Sequence, residues 1–141
     1  MKPLRTIPRT RSGQGSVTVE LAVILPVFLL ILFGICEFGR VMMVSQMLNS
    51  AAREGARVAA LPGTSNSMVI ERITQELANA GLTPDGFEFI PADVSTAARN
   101  QPVSVRVRIN YESIAWAPGF IPGLSGVQLK GVVIMRKEGF S

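Results

Sequence analysis

Gly15-Ser16-Val17-Thr18-Val19-Glu20 joins two stretches of opposite character, and the fold follows from that junction. Before it stand Lys2, Arg5, Arg9 and Arg11 with no acidic residue, and after it Leu21 to Cys36 carries no charge at all. A helix needs roughly 20 mostly apolar residues to cross a hydrocarbon layer about 30 Å thick. Residues 17–36 supply that length with one interruption, Glu20. Basic flanks stay on the cytoplasmic side, so the pattern predicts a cytoplasmic N-terminus and an exported remainder.

Composition divides the chain in the same place. Four of the 14 Lys and Arg lie in the leader, and the other ten equal the ten Asp and Glu of residues 16–141. The pI near 10 is therefore a property of the leader, and no nucleic-acid partner is expected. The 141 residues leave room for one membrane helix and one exported domain of about 80 residues with a thin core. The single Cys36 forms no intrachain disulfide and reads as a small apolar thiol. A signal peptidase needs small residues one and three positions before its cut. Ile35 and Phe33 are bulky, which argues against cleavage before Cys36 and against lipid attachment to it.

Glu20 demands an account, because an ionisable group costs about 2.5 kcal/mol or more at the centre of a membrane and less near its surface. Cleavage after Gly15 would give Ser16 a free ammonium and make Glu20 the fifth mature residue. Three readings of the carboxylate stay open. It pairs with the ammonium of its own chain, four residues away on one helix face; it pairs with that of an adjacent subunit; or it reaches headgroups from the first helical turn.

These residues carry a resemblance. A basic leader ending in Gly15, then Ser16-Val17-Thr18-Val19-Glu20-Leu21, Ile24-Leu25-Pro26, Phe33-Gly34-Ile35-Cys36-Glu37-Phe38-Gly39-Arg40 and Ala51-Ala52-Arg53-Glu54-Gly55-Ala56-Arg57, resembles the TadE-like family over residues 13–61. Its members are pseudopilins of tight-adherence (Tad/Flp) pilus systems, related to type IV pilins. The resemblance implies cleavage after Gly15 by a prepilin peptidase of the inner membrane, with Glu20 as the glutamate that follows the cut. It also implies other pilin-like subunits and assembly-platform proteins as partners. A glycine before the cut suits a protease that binds extended backbone closely. Leu21 stands where these precursors often carry an aromatic residue, and a cut after Gly13 would make Glu20 seventh instead of fifth.

Past the membrane, residues 37–61 are rich in Met, Ala, Gln, Leu, Arg and Glu, and nothing stops the helix before Pro62-Gly63. From Ser16 to Leu61 it would measure about 69 Å, with a bend expected at Pro26. Ala51, Gly55 and Ala59 recur every four residues beside Ala52 and Ala56, which predicts a nearly flat face for close backbone approach. Its partner is either the chain's own sheet or another subunit's helix. Arg53, Glu54 and Arg57 lie mostly off that face.

A second, short helix is expected with Ser67 as its cap, Val69, Ile73, Leu77 and Ala80 as its apolar stripe and Gly81 as its stop. Three strands follow: Phe87 to Ile90; the alternation Val103, Val105, Val107, Ile109, Tyr111; and Gln128 to Arg136. The expected fold class is thus α+β and pilin-like: a leader at 1–15, a long helix at 16–61, and an exported domain at 62–141 with a small antiparallel three-stranded sheet. The loop from Trp116 to Gly123 either folds over the core or touches the membrane or a partner.

Catalysis is not expected. The chain has no His, its one Cys lies in the membrane run, and Asp85, Glu88, Asp93, Glu112 and Glu138 show neither metal-loop nor phosphate-loop spacing. No cofactor or metal is anticipated, and Arg106 and Arg108 read as a solvated strand face. Two functions remain: a pilin-like assembly subunit, or a membrane-tethered periplasmic binding or scaffold module with neither leader cleavage nor filament assembly.

Overall fold

The computed structural model describes residues 12–116 and 126–139. The four leader charges, and most of the loop from Trp116 to Gly123, lie outside the described residues. The elements in chain order are α1 (Ser12–Ala60), α2 (Asn66–Asn79), β1 (Gly86–Ile90), a 3-10 turn (Val94–Thr96), β2 (Pro102–Asn110), α3 (Tyr111–Ile114) and β3 (Gln128–Arg136). The architecture is α+β, as the hydrophobic patterning predicts, and the chain divides into two units at the Cys36–Glu37 bond.

The described part of the first unit is the N-terminal part of α1, residues 12–36. Its residues from Gly15 to Cys36 are exposed, apart from half-buried Gly34, and the helix runs through Pro26 without interruption. This is one helix long and apolar enough to cross a membrane.

The second unit is built on an antiparallel sheet in the order β1-β2-β3. β2 is central, pairing Glu88 with Arg106 on one side and Val132 with Arg106 on the other. Alternation along β2 puts Val103, Val105, Val107 and Ile109 on one fully buried face. That face shares a single core with Val44, Leu48, Ala52 and Ala56 of α1 and with Val69, Ile73 and Leu77 of α2. β3 matches the sequence boundaries residue for residue, and the apolar run at 132–135 splits by pleat: Val132 and Ile134 are exposed, Val133 and Met135 half-buried.

Three local expectations need correction. Ser65, not Ser67, is the capping residue before α2: it is extended, and its carbonyl accepts Val69 N at 3.3 Å. Ser67 is already helical, and its hydroxyl lies 2.8 Å from that of Ser65. Ala80 is exposed because α2 has ended there. Gly81 has φ +70°, its N–H bonds Ala78 O at 2.9 Å and Leu82 N bonds Leu77 O at 2.9 Å, so the reversed turn closes the helix before a stripe could reach position 80. Tyr111 leaves the strand alternation to open α3, since β2 stops pairing after Asn110.

Candidate functional site

The junction Gly15-Ser16 lies inside α1, not at its start. A side chain at position 15 would meet nothing within 4 Å. With the peptide bond intact Ser16 keeps an ordinary backbone amide, so the helix extends through the junction, and an extended protease-bound form requires local unwinding. Two glycines, Gly13 and Gly15, lower the cost of that unwinding, each disfavouring helix by about 1 kcal/mol relative to Ala. Glu20 is exposed one turn further on, and no ion pair involving it is present among the described residues.

The small face is buried. Ala51, Ala52, Ala56 and Ala59 are wholly inaccessible, and Gly55 is buried against α2. A Cβ on Gly55 would fall 2.5 Å from Ile73 Cδ1, so the glycine lets the two helices approach. The sheet takes the preceding turn: a Cβ on Gly131 of β3 would lie 2.4 Å from the Leu48 carbonyl oxygen. Both contacts lie within this chain, where sequence reasoning expected the sheet or another subunit. At the edge of that face Glu54 receives Arg57 at 2.7 Å and, from α2, Arg72 at 3.1 Å. The hydrogen bond from Arg57, with Arg72 assisting, holds the Glu54 carboxyl down to about 2.

At the other end of the unit, α1 and α3 are joined by a clasp. Glu37 and Arg40 are three apart on α1; Tyr111 and Ile114 are three apart on α3. Spacing of three places each pair on one helix face. Tyr111 Oη donates to Glu37 Oε1 at 2.6 Å in a buried bond, and Arg40 Nε donates to the Ile114 carbonyl. The carboxylate, then burial, push the Tyr111 phenol up to about 12. The Arg40 guanidinium also lies 5.7 Å from the centroid of the Trp116 ring.

The C-terminal end of α1 is satisfied by the two residues that directly follow β3. Lys137 Nζ donates to Ala59 O at 2.9 Å and Val94 O at 3.1 Å, and Glu138 N donates to Ala60 O at 2.7 Å. A cation at the last carbonyls also suits the helix dipole. Burial lowers the Lys137 pKa, opposed by the Asp93 charge.

Sequence reasoning missed the clasp and Lys137. Glu37 and Arg40 did carry a signal, being the first charges after the apolar run and one helix turn apart; Lys137 carried only its position directly after a strand. Arg106 is half-buried and ion-paired with Glu88 at 3.0 Å across the β1-β2 ladder, so it is less free than a solvated strand face implies.

The exposed apolar half of α1, the glutamate at its head and the Ala-Gly stripe beyond it form one continuous segment. Residues 15–57 match the TadE-like protein family. The TadE-like segment covers under a third of the chain and contains Gly15, Ser16, Glu20, Glu37, Arg40, Ala51 and Gly55, whereas Ala59, Tyr111 and Lys137 lie beyond it. The likeness is confined to that segment, which includes most of the one helix long and apolar enough to cross a membrane. No curated protein and no solved structure matches the chain.

Proposed function

We propose that this chain is a minor pilin-like subunit, a pseudopilin, that takes part in assembly of a Tad/Flp-type pilus or related secretion apparatus. Its basic leader stays in the cytoplasm, a prepilin peptidase cuts between Gly15 and Ser16, residues 17–36 cross the inner membrane, and the α+β domain is exported to the periplasm or beyond. The subunit acts by packing, not by catalysis, alongside other pilin-like subunits and assembly-platform proteins. One observation carries the reading: within the TadE-like segment, Glu20 is the single charge in an otherwise apolar, exposed stretch and has no ion-pair partner among the described residues. A carboxylate in that setting calls for a cation, and the Ser16 ammonium of a neighbouring subunit supplies one.

The tether reading draws support from the helical Gly15-Ser16 bond, which must unwind before it can be cut. Glu20→Ala separates the two. As an assembly charge, its loss leaves insertion and cleavage intact but abolishes piliation and co-purification with pilus components, since an unpaired buried charge costs about 3 to 5 kcal/mol. Normal pili and undiminished co-purification in the Glu20→Ala strain would favour the tether.

A further inference from the structure

Trp116 is 67% exposed although its neighbours in α3, Tyr111 and Ile114, are 3% and 4% exposed. The clasp holds α3 by its two buried residues and turns the one tryptophan of the chain outward. Arg40 lies over it: its Nε is committed to the Ile114 carbonyl, its guanidinium carbon is 5.7 Å from the indole centroid, and its two terminal nitrogens lie outside that bond. Phe38 and Met42, one turn apart on α1, are also exposed, at 66% and 48%.

Arg40 is four residues past Cys36 on one continuous helix, about 6 Å at 1.5 Å per residue. The headgroup zone on each side of the hydrocarbon layer is about 5 to 8 Å deep. A guanidinium and an indole at that depth are what an interface selects: each has an apolar body and a polar end, and the cation meets phosphate. The Glu37 carboxylate, already bonded to Tyr111, does not compete for Arg40, and the remaining acid of α3, Glu112, is exposed.

We propose that Arg40 and Trp116 form a docking patch for phospholipid headgroups of the outer leaflet. This rests on residues 17–36 spanning the bilayer. The occupant is the lipid phosphate layer rather than a second copy of the chain, because Arg40 follows the apolar run by only four residues of α1 and the patch combines a cation with an interfacial aromatic.

Trp116 is the sole tryptophan, so its fluorescence reads the site directly. The full chain is reconstituted into phosphatidylcholine vesicles, and resistance to alkaline carbonate extraction reports the span independently. In the extraction-resistant protein, a nitroxide on the lipid headgroup should quench Trp116 more than one deep in the acyl chain, and aqueous iodide should quench weakly. Arg40→Gln should stay in the membrane, red-shift the emission and raise iodide quenching. Strong iodide quenching with no lipid quenching in the extraction-resistant wild type would put Trp116 in water and overturn the proposal. Protection from every quencher would mean that protein covers it, with the same consequence. Extraction by carbonate would remove the span and the docking patch together.

Discussion

Within α1, residues 17–36 carry Leu, Ile, Val and Phe on every side and expose them, whereas residues 44–60 carry mostly small side chains on their inner face and bury them. Bulk runs opposite to burial. The first half offers the largest apolar surface and meets little protein among the described residues; a bilayer, itself an apolar solvent, would require none. The second half gains stability by letting backbones approach, where α2 and β3 come so near that Gly55 and Gly131 have no room for a methyl group. Glycine therefore has opposite meanings in the two halves: at Gly34 a Cβ would meet nothing within 4 Å.

The sharpest way to break that comparison is at the sheet contact. Gly131→Ala forces a Cβ against the Leu48 backbone, which cannot rotate aside, so we expect a loss of roughly 3 kcal/mol in thermal or urea unfolding of the second unit. An unchanged melting temperature would mean that β3 does not press on α1 at this turn.

Next is the clasp. Tyr111→Phe leaves the buried Glu37 carboxylate without its donor and should cost about 1 to 3 kcal/mol. The sign of its pH dependence is fixed by the raised phenol pKa: the contribution is complete below the ordinary value of 10.0 and is lost as pH climbs through about 12. Wild type should lose stability over that window and Tyr111→Phe should not lose this component. The burial-lowered pKa of Lys137 works in the opposite direction in both proteins, gaining stability as pH rises toward its ordinary value, and cancels in the difference. Tyr111 is the only tyrosine, so its ultraviolet titration reads the group directly; a midpoint near 10 would dissolve the clasp.

The smallest effects compare glycine with glycine. At Gly55 the obstacle is the Ile73 side chain, which can turn away, and alanine improves helix propensity by about 1 kcal/mol, so Gly55→Ala should lose only about 1 kcal/mol net. Gly34→Ala, in open space, should lose nothing in thermal melts of the reconstituted protein. The reverse order would place the close packing in the wrong half of the helix.

Most of the architecture was legible because it rests on periodicity. The uncharged run, the alternation at 103–109 and the stripe at Val69, Ile73 and Leu77 each reflect burial on one face, and a one-face pattern survives in sequence. What depends on who meets whom did not show. The Ala51, Gly55, Ala59 face announced a close partner but not that α2 would share it with the sheet, because a flat surface accepts either. Glu37 with Tyr111, and Lys137 with Ala59, join positions 74 and 78 residues apart, and no local pattern encodes such pairs. Ser65 and Ser67 are both competent caps, and choosing between them needed the backbone angles of the turn.

The central claim is that the exposed half of α1 begins, in the working protein, at Ser16. Intact mass and N-terminal sequencing of the protein expressed with its cognate prepilin peptidase test it most directly. The account predicts a mature chain lacking residues 1–15, with Gly15→Leu retaining them. A wild-type protein that keeps Met1 in the presence of active peptidase, or a Gly15→Leu protein with the same mature start as wild type, would contradict it.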